Sequence, residues 1–400
     1  MKIKNIVDYS WGLSYNIGKH IALHMSKTYL AYALRTADSS AGVVRVLNLQ
    51  TGVRVLLRGF RGLIRDMAFA RLMSPVLIAV VDAFGTLCVY EVHNSDKSTL
   101  WLKVERPAGE PASEHRRVVW CPYVPDDARG GNGGDDEASK VLAATNLEEA
   151  EVWNLAAVVA EHGMGCTLTV PDVRVGLQRI IEHTGPIIDA CFSPDGTALA
   201  IAGADGQVRF FQVYMQEPDV TPRCLHRWCP HDEKPVSCLI FLDNIALANA
   251  DTQFWRYALT GTDNNTELKL WNCERWTCLQ TIRFIVPPGD TAPPPAFKVE
   301  VDPSANYIVL SDIHRKVVYV CQLKLDHDAE LVSLALFPVV APVLNFAVVE
   351  ARRCRFKPST NTEQINRLEG PQGTEVADED HTSEVFEEGI MVQLHWMSTR

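Results

Sequence analysis

Long apolar runs are missing from this 400-residue sequence. No stretch reaches the roughly 18 residues of a membrane-spanning helix, so no membrane segment is expected. Met1–Asn5 carries lysines, but no uninterrupted apolar segment follows, so no secretory leader is read. Basic surplus is missing too. Lys and Arg number 38 against 49 Asp and Glu, a net charge of −11. A nucleic-acid reader normally shows a basic stripe, so direct RNA or DNA binding is not expected. Arg116–Arg117 and Arg352–Arg353 are the local exceptions and read as solvated loop or strand edge. Cys-x-x-Cys pairs are absent. The 11 cysteines are expected to be free thiols packed as small hydrophobes in an intracellular protein. Gly-x-Ser-x-Gly, His-Glu-x-x-His and Gly-x-x-x-x-Gly-Lys-Ser/Thr are absent as well. No catalytic residue, metal or cofactor is assigned, and the chain reads as a non-enzyme.

What is present is ample core material: 47% hydrophobic residues at a mean hydropathy of −0.03. It is arranged in a repeat. Ile187–Phe192 reads as a strand, Ser193-Pro194-Asp195-Gly196 as a turn, Leu199–Gly203 as a second strand. Asp205-Gly206 turns the chain into a third, Val208–Phe211. Asp-Gly between apolar runs is the strongest short hairpin signal. Ala200, Ala202 and Gly203 suit a second strand crowded on both faces.

The same beat recurs from Met67, Val118, Cys238 and Val299, and an upstream set covers 29–57. Third strands end on a large aromatic: Tyr90, Trp153, Phe211, Trp271 and Tyr319. Asp82, Asn146, Asp205, Asp263 and Asp312 stand six to eight positions earlier. This resembles the WD-repeat blade, in which the aromatic packs between blades and the acid ties a turn through backbone N–H groups. The fold expected is all-β, a seven-bladed β-propeller over 1–357. Six blades are readable. The seventh is assigned to Val343–Phe356 and a closing strand at 389–400, with Ile6–Trp11 pairing to it. Residues 126–139 and 286–295 read as flexible loops, and 358–388 as a disordered acidic segment.

Cys224-Leu225-His226-Arg227-Trp228-Cys229-Pro230-His231 is the one metal-like run. Alternate strand residues face opposite ways, so its ligands do not converge. It reads as a fourth strand and the next blade's opening histidine. His183 and His231 occupy equivalent points and read as structural, bonded to their blade's acid. Gly130–Gly134 has no helix behind it to hold a phosphate, and Asp135-Asp136 and Glu387-Glu388 read as solvated charge. Trp255 reads as core. Phe60 reads equally as core or as an exposed partner anchor.

Longer segments are more specific than a generic propeller. They include Ile6–Trp11, Leu56–Gly62, Arg117–Pro122, Pro222–Trp228, Leu268–Trp271, Thr277–Phe284 and Ser311-Asp312. Together they resemble the N-terminal WD-repeat domain of the enhancer-of-mRNA-decapping scaffold family, the Varicose-like processing-body proteins. The resemblance spans roughly 6–357 in segments. It implies a non-catalytic scaffold in mRNA decapping and 5′-to-3′ decay, cytoplasmic and in processing bodies. Its partners would be the decapping activator and associated decapping factors. Family members are much longer, so these residues look like the propeller alone, and oligomerisation is not expected from this segment. A propeller that binds RNA directly, or a WD-repeat adaptor of another complex, is the alternative. WD-repeat propellers generally bind partners where fourth-to-first-strand loops gather. In this sequence those are 59–62, 113–117, 183–186 and 231–235, with Phe60, Arg61, Arg116, Arg117 and Lys234 as contact residues.

Overall fold

The structure, a computed structural model, describes residues 2–12, 14–36, 40–122, 140–182, 185–213, 222–242, 255–289, 291–325, 328–356 and 387–399. Blade 1 comprises Ile21–Leu23 (β1), Tyr29–Arg35 (β2), Gly42–Asn48 (β3) and Arg54–Leu57 (β4). Blade 2 comprises Ile64–Phe69 (β5), Leu77–Asp82 (β6), Leu87–Val92 (β7) and Ser98–Glu105 (β8). Blade 3 begins with Val118–Trp120 (β9), Val141–Asn146 (β10) and Glu149–Asn154 (β11). A helix, Leu155–His162 (α1), and strand Cys166–Thr169 (β12) follow before Leu177–Ile180 (β13) completes it. Blade 4 is Ile187–Phe192 (β14), Ala198–Gly203 (β15), Val208–Gln212 (β16) and Cys224–Trp228 (β17). Blade 5 is Val236–Phe241 (β18), Tyr257–Thr262 (β19), Glu267–Asn272 (β20) and Thr277–Arg283 (β21). Blade 6 is Phe297–Val301 (β22), Tyr307–Asp312 (β23), Val317–Leu325 (β24) and Ala329–Pro338 (β25). Blade 7 is Val343–Phe356 (β26) with Glu387–Ser398 (β27).

Pairing inside the blades is antiparallel, as tight Asx and Asp-Gly turns dictate. The second strands β6, β15, β19 and β23 are buried at every residue. Blades cover both of their faces, which is why they read as continuous apolar runs rather than alternations. Gly206 shows the tightness of one turn. Its φ is +77°, and a Cβ there would lie 2.4 Å from the Glu233 carbonyl carbon.

Closure is visible in the core. Seven apolar clusters each draw on two neighbouring blades. The last joins Met397 of blade 7 to Ile21, Leu30, Tyr32 and Leu47 of blade 1. The ring therefore closes without a free flank, as a seven-bladed propeller requires.

Several boundaries differ from expectation. Ile6–Trp11 forms no strand. Ile6, Val7 and Trp11 instead pack against the blade 7–blade 1 cluster, and Trp11 Nε1 donates to the Ala33 carbonyl at 2.9 Å. Its apolar side chains cover a flank rather than extend a ladder. Glu387 and Glu388 open β27, two residues before the strand expected from 389. Loop 126–139 and the segment 358–386 lie outside the described residues. Within 286–295, the described residues hold no strand, consistent with five prolines.

Residues 15–19 run against the first strands, and Gly18 makes the closest approach. A Cβ at Gly18 would lie 2.0 Å from the Arg65 carbonyl oxygen, so no side chain fits. Gly18→Ala should therefore lower the unfolding free energy by about 1–3 kcal/mol through overpacking. Urea denaturation checks this, and an unchanged midpoint would contradict the packing.

Candidate functional site

Polar groups on or beside the first strands of six blades meet at the middle of the ring. Arg117, just before β9, reaches both ways. Its Nε donates to Asp189 Oδ1 at 2.8 Å, and its Nη1 stands 3.1 Å from Asp66 Oδ1. Asp66 also accepts from Lys19 N at 2.6 Å and Val118 N at 2.8 Å. Asp189 accepts from Leu239 N at 2.9 Å. Lys298 Nζ donates to the carbonyls of Asn16, Ile17 and Gly18 at 2.6–3.0 Å. Asn345 Nδ2 donates to Gly18 O at 3.1 Å, and Lys19 pairs with Glu300 at 2.7 Å. Six blades are thus tied through the centre, with the N-terminal segment that leads into blade 1 as part of the filling.

Burial sets the electrostatics. It raises the Asp66 pKa, against Arg117 and two backbone N–H donors that lower it. Burial pulls Arg117 down, but Asp189 and Asp66 outweigh it and raise its pKa. Burial, then the Arg117 charge, lowers that of Lys298. These charges hold one another in a buried interior, where an unpaired ion costs several kcal/mol.

A local device aims these groups. Register shifts occur at Ile64/Asp66, Ile187/Asp189, Val236/Cys238 and Val343/Asn345. A bulge at the same point of four first strands re-aims the following side chain. Asp66, Asp189 and Asn345 follow three of these bulges and supply three members of the network.

Nearer the loops, Asp82 Oδ2 accepts from Arg61 N and Gly62 N at 2.7 and 2.9 Å. Its Oδ1 accepts from Phe84 N and Thr86 N, both at 2.9 Å. Arg106 forms a bidentate pair with Glu151 at 2.6 and 2.7 Å across blades 2 and 3. In blade 5, Trp271 Nε1 donates to Thr260 Oγ1 at 2.9 Å. The Thr260 hydroxyl then donates to His231 Nε2 at 2.8 Å, which leaves Nδ1–H for Glu267 at 3.2 Å.

A family profile described as the WD40 region of Ge1, enhancer of mRNA-decapping protein, matches residues 1–328. The chain belongs to this Ge1 WD40 family. It is 36% identical to Enhancer of mRNA-decapping protein 4 of Danio rerio over 411 aligned residues, covering 100% of this chain and 28% of that protein. The human protein of that name gives the same identity and coverage. The Drosophila melanogaster homolog is 36% identical over 90% of this chain and 28% of its own. The chain thus spans a little over a quarter of these relatives. Among solved structures it resembles the WD40 domain of Toxoplasma gondii coronin at a TM-score of 0.55 and 14% identity, covering 85% of this chain and 77% of that one. The C-terminal WD40 domain of Sif2 gives 0.52 and 12%, covering 82% and 74%. At these identities the likeness concerns the fold alone.

In this Ge1 WD40 chain, three of the five expected contact residues are not at the surface. Phe60 is buried in the blade 1–blade 2 core. The Arg116 side chain is 0% exposed and donates to Glu110 and the Pro111 carbonyl. Arg117 is the central hub. An apolar side chain and two arginines in loops looked available, but the core and nearby carboxylates take them. Arg61 and Lys234 remain exposed. Arg61 lies over the Phe84 ring at 5.4 Å and donates to Arg106 O, and Lys234 pairs with Asp263 at 2.7 Å.

The expected blade residues divide in the same way. Trp153, Phe211 and Trp271 are buried, and Tyr319 packs on Phe284 and Phe297. Tyr90 donates to the Arg58 carbonyl. Asp82 ties two turns. Asp312 accepts from His314 N, and Asp205 accepts from Gln207 N and pairs with Arg209. Asp263 departs from the pattern. It is exposed, and Glu267 takes its expected place beside His231. His183 lies outside the described residues. His226 stacks on Trp276 with centroids 3.9 Å apart while His231 turns to Thr260. Among the described residues no group of three His, Cys, Asp or Glu side chains gathers as metal ligands. Trp255 stacks on Phe210 in the core, as read from sequence.

Sequence reasoning missed Asp66, Asp189, Lys298 and the 15–19 segment. A signal existed: Ile64-Arg65-Asp66 and Ile187-Ile188-Asp189 place an acid third in first strands that are otherwise largely apolar.

Two predictions follow from this geometry. Arg117→Met leaves two buried carboxylates unpaired and should cost about 3–5 kcal/mol of stability, measured by chemical denaturation. A loss below about 1 kcal/mol would show that water reaches the centre. The second concerns acid. Burial lowers the pKa of His24 and His231 from the ordinary 6.5, so both stay neutral in the fold. Below that pH the unfolded chain binds protons that the folded chain refuses, so stability falls as pH drops through 6.5. The melting temperature should decline from pH 7 to pH 5, less steeply in His231→Gln, and a flat profile would contradict it.

Proposed function

We propose that this chain is a non-catalytic docking platform in mRNA decapping and 5′-to-3′ decay. It acts in the cytoplasm and in processing bodies, and it holds decapping factors, the decapping activator foremost. One observation carries the reading: similarity to enhancer of mRNA-decapping proteins runs the whole length of the chain. The filled centre adds support, because paired charges and residues 15–19 occupy the space where a channel site would otherwise sit. Partners then meet the loop rim or the outer flanks.

On the rim, Arg61 and Lys234 are the contact residues of the reading that stay exposed. Their basic heads on an acidic chain suit an acidic partner segment. The chain used as bait in a cell extract should retain decapping factors, identified by mass spectrometry. Arg61→Glu with Lys234→Glu should reduce retention several-fold with an unchanged circular dichroism spectrum. Full retention by that double variant removes this rim as the contact. Retention of no decapping factor removes the functional reading itself.

A further inference from the structure

At one end of blades 1 and 2, four strand ends with their turns enclose a cleft of about 420 Å³. They lie at 26–29, 48–51, 73–76 and 91–94, and every lining residue is described. These turns join first to second strands and third to fourth strands. In an antiparallel blade they stand at the end opposite the loop 59–62, which joins β4 to β5. The cleft is therefore separate from the rim that carries Arg61 and Lys234. Its volume falls in the range of ligand pockets, roughly 300–1,000 Å³.

Glu91 is the one Asp, Glu, Lys or Arg side chain in the lining. Its Oε2 accepts from Trp101 Nε1 at 3.0 Å, which fixes the carboxylate. Its Oε1 faces His93 Nδ1 at 3.6 Å, too far for a hydrogen bond. The carboxylate is 24% exposed, so a cation beside it gains more than at an open surface. Neighbouring cations do not take that place. Arg71 lies near Cys121 and Cys191 of blades 3 and 4, and Lys27 and Lys97 stand on turns outside the lining. The surroundings are already set. His93 Nε2 is 2.7 Å from Thr99 Oγ1. Buried Asn48 donates to Asn94 Oδ1 at 3.1 Å across the two blades and accepts from Gln50 N and Thr51 N. A preorganised site loses little freedom on binding. The side chains of Gln50, Thr51 and Ser74 both donate and accept, as the backbone of an extended peptide does.

We propose that this cleft binds an arginine side chain carried on an extended segment of a partner polypeptide. The guanidinium pairs with Glu91 Oε1, and its planar fork also reaches the second lone pair of Asn94 Oδ1. Its methylene stem lies along Met73 and Pro75, and the flanking backbone meets Gln50, Thr51 and Ser74. A carboxylate brought to the same place is repelled by Glu91. The cleft and the rim thus select segments of opposite charge. The inference does not depend on which complex the chain joins.

The test uses the full 400-residue chain with carbon-13 methionine methyl groups, read by NMR. Met73 at the mouth is 63% exposed and reports the cleft, whereas Met67 at 0% reports the core. Blocked pentapeptides carry arginine, lysine, glutamine or glutamate between pairs of serines. The arginine peptide should shift the Met73 signal to saturation and leave Met67 in place. Glu91→Gln keeps an acceptor for Trp101 and should weaken that peptide about fivefold. Asn94→Asp keeps the acceptor for Asn48, adds a carboxylate and should tighten it several-fold. Met67 unmoved in both variants shows that the fold is intact. The lysine peptide should bind several-fold more weakly than arginine, and glutamine more weakly still. A Met73 signal that the arginine peptide never moves would overturn the proposal, because the cleft is then closed or already filled. Equal binding by Glu91→Gln would overturn the pairing with the carboxylate. Lysine binding as tightly as arginine would overturn the guanidinium preference. Tighter binding of the glutamate peptide would overturn the sign of the charge.

Discussion

Arg117 between Asp66 and Asp189 is the contact on which the ring depends. Most contact between neighbouring blades is flank-to-flank apolar packing, which is non-directional. That packing does not fix how many blades close or how the first strands register at the axis. A charge held between two carboxylates from different blades does fix it, because buried ions tolerate little misplacement. Bulges in the first strands aim the carboxylates, and Lys298 gathers three carbonyls of the N-terminal segment onto the same axis. The segment before blade 1 is thereby part of the core and not an appendage.

Much of the architecture was legible because its signals are local. Pro-Asp-Gly and Asp-Gly turns mark hairpins, and all-apolar second strands mark a strand covered on both faces. What was not legible depends on direction. Phe60, Arg116 and Arg117 sit in loops at the expected rim, yet all three point inward. A bulge shifts side-chain parity by one, so alternation in the sequence no longer tells inside from outside. The α1–β12 insertion was missed for a different reason. Asn154 caps α1 by accepting from Ala157 N, a signal present in the sequence. β12, however, leaves its own blade and pairs in parallel with β8 of blade 2, which no local pattern announces. β1 is only three residues long and too short to read.

The same constraint shapes the centre of the ring. Among the described residues, ion pairs and residues 15–19 fill the centre of the ring. The Ge1 WD40 family relationship supplies the setting, and this chain corresponds to a little over a quarter of its relatives. The rim offers exposed side chains on turns pinned by buried acids such as Asp82.

The central hub can be tested most directly by a double-mutant cycle on Asp66→Asn and Asp189→Asn, with unfolding free energies from denaturant titration. Either change alone leaves Arg117 one carboxylate. Both together leave a buried guanidinium with none. The double variant should lose more than the two singles combined, with a coupling above about 1 kcal/mol. Additivity within about 0.5 kcal/mol would contradict it, because the two carboxylates would then not share a partner on which the ring depends.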